Sequence, residues 1–423
     1  MNRKYARRVL LYLGTFLLAW LTAGCDIFRS DDGEEAEHWD TLSSYQEIGT
    51  LSSDQIADIY PTGMELLLTY DIKLYRVVYS TEDPGGNPVL ASGVLLLPQE
   101  KELSAMLSLH RTTVLHRDEV PSNVSLSDIP SGLDAGEGPV NTVWANFAPV
   151  MASAGFITVM PDLLGWGESS NFSPPYLVSF SEAVVSLDML RAAVELTESL
   201  EAEWTGDLFV AGYSQGGSTT LSLLRGIQAD PRQQFEVTAA SAGGGAYNLE
   251  ELASAILQQE ELGFAPYYVL FLQAYADVYF PERPMNTFFS SPYDLIIESE
   301  DLFGGEFTGD EIADRLTGRT GDLFLNRFRN NYITSNIQAG PESELRSAFR
   351  ENDLSRFRVN SPLRIYHGDL DRILPFAEAE QSVQNLRDAG TEDVELVRIP
   401  HGTHRSAAIP FFLETFLWFT ESE

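Results

Sequence analysis

The chain of 423 residues is poor in cysteine and in positive charge. It contains a single cysteine, Cys25, so no disulfide can form within the chain. Lysine and arginine together number 27 against 62 aspartates and glutamates, which gives a formal net charge of −35. Such a chain repels nucleic acid and anionic lipid, and we expect no nucleic-acid partner. Because the acids are spread along the whole length, we interpret them as a halophilic surface that says little about the substrate.

The N-terminal apolar run is too short to predict a membrane-spanning helix. It covers residues 9–21, whereas a span needs about 20 apolar residues. Basic residues precede it and the small residues of TAGC follow it, which is the pattern of a cleaved export signal over residues 1–24. The stretch ending at Cys25 resembles a bacterial lipobox and implies lipidation of that cysteine. We therefore expect a membrane-anchored lipoprotein on the periplasmic or cell-surface face. An ordinary secretory signal followed by a buried cysteine is the alternative.

The mature chain divides by pattern into a tether, a core and an insertion. Residues 26–40 hold seven acids and almost nothing to bury, so we predict an acidic, flexible tether over 25–60. Two β-rich runs at 66–81 and 88–98 predict an antiparallel pair at one edge of a sheet. Short apolar runs and helical patterns then alternate, which predicts a mostly parallel sheet with helices on both faces. This first part of the core covers 61–246.

A long segment interrupts that alternation. Residues 247–360 are helical in period and rich in aromatic side chains, and no clear strand pattern occurs in them. The alternation of strands and helices returns over 361–423. We interpret the segment as a helical cap whose apolar underside could line an acyl pocket; a packed helical core alone is the simpler alternative.

The sequence GYSQGG carries the clearest chemical signal. It places Ser214 in a G-x-S-x-G motif between an apolar strand pattern and a helix pattern, which is the setting of a nucleophile elbow. The alternative is a glycine-rich turn without chemistry. A serine hydroxyl needs a base and an acid that orients the base, here in the order Ser, Asp or Glu, His. The first oxyanion donor should be the backbone N–H of Gln215, directly after the nucleophile.

Two candidates exist for each remaining member of the triad. The stretch HGDLDRILP offers Asp369 and Asp371, and Asp369 fits a turn residue that bonds local backbone. The late loop IPHGTHRSA offers His401 and His404. Gly402 lets this loop turn back over the sheet edge, and His404 lies beyond that turn, which favours His404 as the base. His401 is the alternative base.

These motifs together resemble the α/β-hydrolase superfamily, and most closely its secretory lipase and esterase branch. The resemblance implies a sheet of about eight strands with the cap inserted before the strand that carries the acid. Its H-G-x-x-D-x-x-x-P pattern selects Asp371, and its I-P-x-x-x-H pattern selects His404. The loop after the strand at 105–110 supplies the second oxyanion donor in this family. Here Arg111 stands where glycine is usual, so Thr112 is the first candidate donor and Arg111 the second.

Four other polar residues in these loops are expected to be structural. His110 and His116 have no matching acid motif, and Asp162 and Glu168 lie in a loop that resembles the D-x-x-G-x-G-x-S turn of the superfamily. Their side chains should be satisfied locally rather than take part in chemistry.

The pattern predicts an exported serine hydrolase that cleaves carboxylic esters of small molecules or lipids, without cofactor or metal. A serine peptidase of the same fold is the first alternative, and a non-catalytic surface binding protein is the second. A metal enzyme fits poorly, because the H-x-x-H of His401 and His404 lacks the helical spacing of metalloprotease motifs. The acyl length, the natural substrate and the oligomeric state do not follow from the sequence.

Overall fold

The computed structural model describes residues 40–58, 68–99, 103–123 and 143–422. The strands are β1 (Leu42–Leu51), β2 (Ile72–Glu82), β3 (Pro88–Pro98), β4 (Leu103–His110), β5 (Ile157–Pro161), β6 (Glu203–Tyr213), β7 (Val237–Gly243), β8 (Leu363–Gly368) and β9 (Val394–Ile399). The core helices are α1 (Ser53–Ala57), α2 (Val143–Ser153), α3 (Ser179–Ser199), α4 (Gln215–Ala229), α12 (Phe376–Asp388) and α13 (Ala408–Ser422). Between β7 and β8 lie α5 (Leu249–Gln258), α6 (Ala265–Tyr279), α7 (Tyr293–Ser299), α8 (Gly309–Ala313), α9 (Thr320–Leu323), α10 (Asn326–Thr334) and α11 (Ser343–Glu351).

The described strands form one sheet in the order β1-β2-β3-β5-β4-β6-β7-β8-β9. The strands from β1 to β3 are antiparallel to their neighbours, and β3 is also antiparallel to β5. The six remaining strands run parallel, since helices connect most of them and return the chain to the same edge. Their carboxyl ends therefore meet at one edge of the sheet. The predicted parallel sheet with an antiparallel pair is confirmed, with nine strands rather than about eight.

The predicted flexible tether over 25–60 is wrong in its second half. Residues 42–51 form β1, which pairs with β2 at the sheet edge, and the β2–β3 pair is therefore not outermost. Backbone N–H groups of Thr41 and Leu42 also donate to the carboxylate of Glu195 on α3, at 2.7 to 3.2 Å. The side chains between the two buried ends of β1 are mostly exposed. The strand is therefore held by backbone pairing, and its sequence shows no apolar alternation.

Two helical layers cover the sheet. Helices α3, α4 and α12 bury their apolar faces against one side, in a core that includes Val77, Val210, Leu190, Leu221 and Val383. Helices α1, α2 and α13 cover the other side, in a core that includes Leu107, Phe209, Ile56, Phe147 and Phe416. Burial on both faces explains why the parallel strands have nearly continuous apolar sequences.

The insertion between β7 and β8 consists of helices with a core of its own. Residues 247–360 are all described and contain only isolated bridges, with no sheet strand. Aromatic side chains fill this cap core: the rings of Phe271 and Phe349 stack with centroids 4.7 Å apart, and Tyr275 packs edge-on against both. Tyr176 and Leu374, which lie outside the insertion, belong to the same cluster, so the cap rests on the carboxyl edge of the sheet.

The predicted export signal, the lipidation site Cys25 and the tether up to residue 39 lie outside the described residues. Within the described ranges, no helix combines the length and the apolar character that a membrane span requires.

Candidate active site

Ser214 occupies a sharp turn between β6 and α4. Its backbone has φ 60° and ψ −121°, a sparsely populated conformation that lifts the side chain above the sheet edge. The flanking glycines allow the close packing of this turn. A Cβ at Gly212 would lie 2.3 Å from the carbonyl oxygen of Gly216, and one at Gly216 would lie 2.2 Å from that of His110. The G-x-S-x-G spacing is therefore a steric requirement of this strand, turn and helix.

The structure brings Ser214, His404 and Asp371 into a continuous chain of hydrogen bonds. His404 Nε2 lies 2.9 Å from Ser214 Oγ, and His404 Nδ1 lies 2.7 Å from Asp371 Oδ2. All three residues are less than 9% exposed. This arrangement lets a hydroxyl lose its proton to an imidazole whose other nitrogen is held by a carboxylate.

Asp371 is held as a carboxylate by several donors. The backbone N–H groups of Ile373 and Leu374 donate to its Oδ1 at 2.8 and 2.9 Å. Burial alone would raise the pKa of Asp371, but the charge of His404 and hydrogen bonds from His367 and His404 outweigh burial and hold that pKa well below its ordinary value. The negative charge that orients the imidazole is therefore present throughout the neutral range.

His367 is a neighbour of the acid that the sequence analysis missed. Its Nε2 lies 3.4 Å from Asp371 Oδ2 and 2.8 Å from the carbonyl oxygen of Leu374, and the side chain is fully buried. The histidine that begins HGDLDRILP was the available signal, because it ends the strand that leads to the acid.

The segments that carry Asp371 and His404 cross closely. A Cβ at Gly368 would lie 2.3 Å from the carbonyl oxygen of Gly402, so the crossing requires glycine at position 368. Tyr213 donates its hydroxyl to the carbonyl oxygen of His404 at 2.7 Å and packs against the imidazole ring. These contacts fix the direction in which His404 points.

The rival residues lie elsewhere. His401 is exposed, with a φ of 58°, and its backbone bonds Asp369. Asp369 accepts two hydrogen bonds from Arg398, at 2.8 and 3.0 Å, which with this backbone contact lower its pKa. Among the described residues, no group of three or more His, Cys, Asp or Glu side chains could hold a metal ion.

The four polar residues expected to be structural make contacts with their immediate surroundings in the fold. His110 is buried beside Ser108 Oγ at 3.3 Å, and burial lowers its pKa to about 3, so the ring is neutral. His116 accepts a backbone N–H from the following turn at 3.3 Å. Asp162 accepts hydrogen bonds from two serines at 2.5 and 2.8 Å, and Glu168 pairs with an arginine at 2.9 Å.

The candidate oxyanion residues lie on both sides of Ser214. Gln215 is the first residue of α4, so its backbone N–H is one of the helix N–H groups without an intrahelical acceptor. Thr112 follows β4 and is buried. The guanidinium of Arg111 is also buried. It donates hydrogen bonds to the backbone carbonyl oxygens of Asp162 and Thr112 and to the side chain of Gln215, contacts that a glycine at this position could not make.

A small cavity of about 30 Å³ opens beside Ser214 beneath the cap. Its lining residues are mainly aliphatic and aromatic: Tyr176, Leu177, Ser214, Gln215, Ser218, Ala246, Leu252, Ile256, Tyr267, Tyr268, Phe271, Ile373 and Leu374. Ile256, Tyr268 and Phe271 also line a second, almost wholly apolar cavity of about 10 Å³ inside the cap. The sequence predicted an apolar underside of the cap but did not identify these residues, since their convergence depends on helix packing.

Comparison with known proteins agrees with this architecture. Residues 145–421 match the model of the secretory lipase family. No curated protein sequence matches the chain.

Several solved structures share the fold. A Legionella pneumophila protein assigned as a hydrolase is 25% identical and superposes with a TM-score of 0.77 over 91% of this chain and 98% of its own. The rice cell wall degrading esterase LipA of Xanthomonas oryzae is 23% identical, with a TM-score of 0.72 over 90% of this chain and 96% of its own. Closed Candida antarctica lipase A is 14% identical, with a TM-score of 0.65 over 91% and 82%. The chain belongs to the secretory lipase family and is a carboxylic ester hydrolase with the α/β-hydrolase fold.

Proposed function

We propose that this ester hydrolase acts outside the cytoplasm as a serine esterase or lipase, through an acyl-enzyme formed on Ser214. The observation that carries the proposal is the pair of hydrogen bonds that joins Ser214 to His404 at 2.9 Å and His404 to Asp371 at 2.7 Å. Nucleophile, base and orienting acid are thus within reach of one another in a buried site next to an apolar cavity.

Each step follows from this geometry. Ser214 Oγ bonds to the acyl carbon while its proton passes to His404 Nε2, and the carbonyl oxygen becomes an oxyanion. The C–O bond to the leaving alcohol then breaks, and the same proton passes from His404 to that alcohol. Water next attacks the acyl-enzyme, gives a proton to His404, and releases the acid as that proton returns to Ser214 Oγ. Asp371 stays ionised and stabilises the imidazolium in both halves.

The backbone N–H groups of Gln215 and Thr112 are the proposed oxyanion donors. Gln215 begins α4, where the N–H groups and the helix dipole favour negative charge. Thr112 comes from the loop on the opposite side of the turn, where the superfamily supplies its second donor.

The cavity beside Ser214 is the proposed site of the acyl group. None of the described residues that line it carries a charge, which favours a neutral acyl chain over the charged terminus that an exopeptidase must capture. The shared wall of Ile256, Tyr268 and Phe271 separates it from the second apolar cavity. That wall should limit how many acyl carbons can be buried.

A fluorophosphonate probe tests the nucleophile directly. Wild-type protein should be labelled and should hydrolyse p-nitrophenyl esters, and Ser214→Ala should abolish both. Label retained in Ser214→Ala, or hydrolysis of aminoacyl-nitroanilides in preference to esters, would contradict the proposal.

Running the assay at low and high salt tests the halophilic surface, since full activity and stability without salt would count against it.

A chain-length series tests the acyl cavity. Leu252→Trp fills part of it, and each acyl methylene that can no longer be buried should lower kcat/KM about fourfold, the equivalent of about 0.8 kcal/mol. Esters of acetate should be affected least and those of laurate most. Leu295→Trp is the control, because Leu295 is 59% exposed on α7. An equal loss of kcat/KM for all acyl chain lengths would show that the cavity does not bind the acyl chain.

Export and anchoring are part of the proposal. Membership of the secretory lipase family supports export, and the lipobox-like stretch supports lipidation at Cys25. Metabolic labelling with an alkyne fatty acid should mark the wild-type chain and not Cys25→Ala. Labelling that is equal in both would remove the anchor while leaving the hydrolase proposal intact.

A further inference from the structure

Arg111 is a buried cation beside the nucleophile elbow. Its side chain is 1% exposed and is among the largest fully buried side chains of the described residues. Burial lowers its pKa to about 10, so the guanidinium remains charged at neutral pH. A charge in such a place is stable only when its hydrogen bonds are satisfied, and the proposed chemistry has not used it.

The guanidinium joins its own loop to two other segments at the carboxyl edge of the sheet. Nε and Nη2 donate to the carbonyl oxygen of Asp162 at 3.0 and 2.6 Å, directly after β5. Nη1 donates to the carbonyl oxygen of Thr112 at 2.9 Å and to Gln215 Oε1 at 3.1 Å. These bonds occupy four of its five N–H groups. Each acceptor is a neutral oxygen, so these hydrogen bonds set distances between segments. The nearby carboxylates of Asp162 and Glu182 raise the pKa of Arg111 against the effect of burial.

The Gln215 side chain is held at both ends. Its Oε1 accepts from Arg111, and its Nε2 donates to Glu182 Oε1 on α3 at 3.0 Å. Glu182 also accepts from Ser222 on α4 at 3.4 Å. The first residue of α4 is therefore clamped between the loop after β4 and helix α3.

We propose that Arg111 is a positioning residue for the oxyanion hole, whose planar guanidinium sets the separation between the Thr112 and Gln215 backbones. The inference rests on the proposed function, in which those two backbones bind the oxyanion. The rigid fork of arginine suits this role, because it presents donors in one plane to acceptors on different segments. With a glycine at this position, the loop after β4 and the start of α4 would have to be held together by other contacts.

Kinetics of buried-arginine variants test the proposal. Arg111→Met removes every side-chain hydrogen bond of Arg111, and Arg111→Lys keeps the charge without the planar fork. Gln215→Met removes the bonds of this side chain to Arg111 and Glu182 and leaves the bonds of Arg111 to Asp162 and Thr112 in place. Arg191→Met is the matched control: Arg191 is also largely buried and bonds Asp188 and Asp230, away from the site. For each variant we would measure thermal stability, kcat and KM on p-nitrophenyl butyrate, and Ki for an alkyl boronic acid that forms a tetrahedral adduct with the nucleophile.

The expected result is a loss confined to the transition state. In Arg111→Met, Arg111→Lys and Gln215→Met, kcat per fluorophosphonate-titrated site should fall about tenfold to hundredfold with KM nearly unchanged, less than the roughly 10²- to 10³-fold loss on removing a donor outright. Ki for the boronic acid should rise by the same factor as kcat falls. Arg191→Met should lower stability and leave kcat and Ki as in the wild type.

Other outcomes would overturn the inference. Wild-type kcat in folded Arg111 variants would reduce Arg111 to a packing role, and wild-type kcat in Arg111→Lys would show that charge alone suffices. An equal loss in Arg191→Met would make the effect non-specific. If Arg111→Met does not fold, Gln215→Met decides by the same criteria. Hydrolysis that survives Ser214→Ala would instead refute the proposed function itself, which keeps the two failures distinct.

Discussion

Replacing Gly216 by alanine tests how tightly the nucleophile elbow packs against the neighbouring strand. A Cβ there would lie 2.2 Å from the carbonyl oxygen of His110 and 2.7 Å from that of Arg111. Both are backbone atoms, so no side chain can rotate away. Since ordinary contacts begin at 3.4 Å, the end of β4 and the start of α4 must separate by about 1 Å.

Separating β4 from α4 should lower the melting temperature only slightly and lower kcat strongly. Overpacking costs about 1–3 kcal/mol, and the better helix propensity of alanine returns about 1 kcal/mol, so the melting temperature should fall by a few degrees. The separation also moves Thr112 away from Gln215, and a misplacement of about 1 Å can lower kcat about 10²-fold. KM should change little, because the acyl cavity keeps its walls.

The assay compares Gly216→Ala with Gly318→Ala. Gly318 is exposed, and a Cβ there has no heavy atom within 4 Å, so this variant should keep the wild-type melting temperature and kcat. Thermal unfolding gives the first quantity and hydrolysis of p-nitrophenyl butyrate the second. Wild-type kcat and stability in Gly216→Ala would contradict this prediction, because the end of β4 would then move aside without effect on either quantity.

Three further predictions concern the bases and acids around the site. His404→Ala should lose about 10⁴-fold or more in kcat, whereas the exposed His401 should lose less than about tenfold on the same change; equal losses would contradict the assignment. Asp371→Asn should lose about 10⁴-fold in kcat because the imidazole tautomer is no longer fixed, and His367→Phe should lose less, since backbone donors still hold Asp371. Burial raises the pKa of Glu182 from 4.5 to about 7, so the folded state binds a proton that the unfolded state releases between those values. The free energy of unfolding should therefore fall by up to about 3 kcal/mol from pH 4.5 to 7, and urea titrations should show this slope removed in Glu182→Gln.

Sequence patterns predicted those strands and helices whose apolar residues match the faces that are buried in the fold. The parallel strands are buried on both faces, so their apolar runs are visible without the fold, and the helices of the core have the expected period. β1 was missed because an edge strand held by backbone pairing needs no apolar pattern. The polar contacts of Arg111 were missed because two of its partners, Asp162 and Gln215, lie on segments that meet Arg111 only at the sheet edge.

The motif around Ser214 is enough to predict the turn, because a Cβ at Gly212 would meet the carbonyl oxygen of Gly216 within the same motif. The close approach of Gly216 to His110 depends on the pairing of β6 with β4. The sequence by itself also narrowed the acid and the base to two candidates each, since both loops follow recognisable strands. Which of these candidates meet depends on the fold, because Ser214 and His404 are 190 residues apart in the chain. The order of β6, β7, β8 and β9 in the sheet brings their loops to one edge. There the crossing at Gly368 and Gly402 turns His404 inward while His401 stays in solvent, and packing of the cap helices closes an apolar cavity over the site.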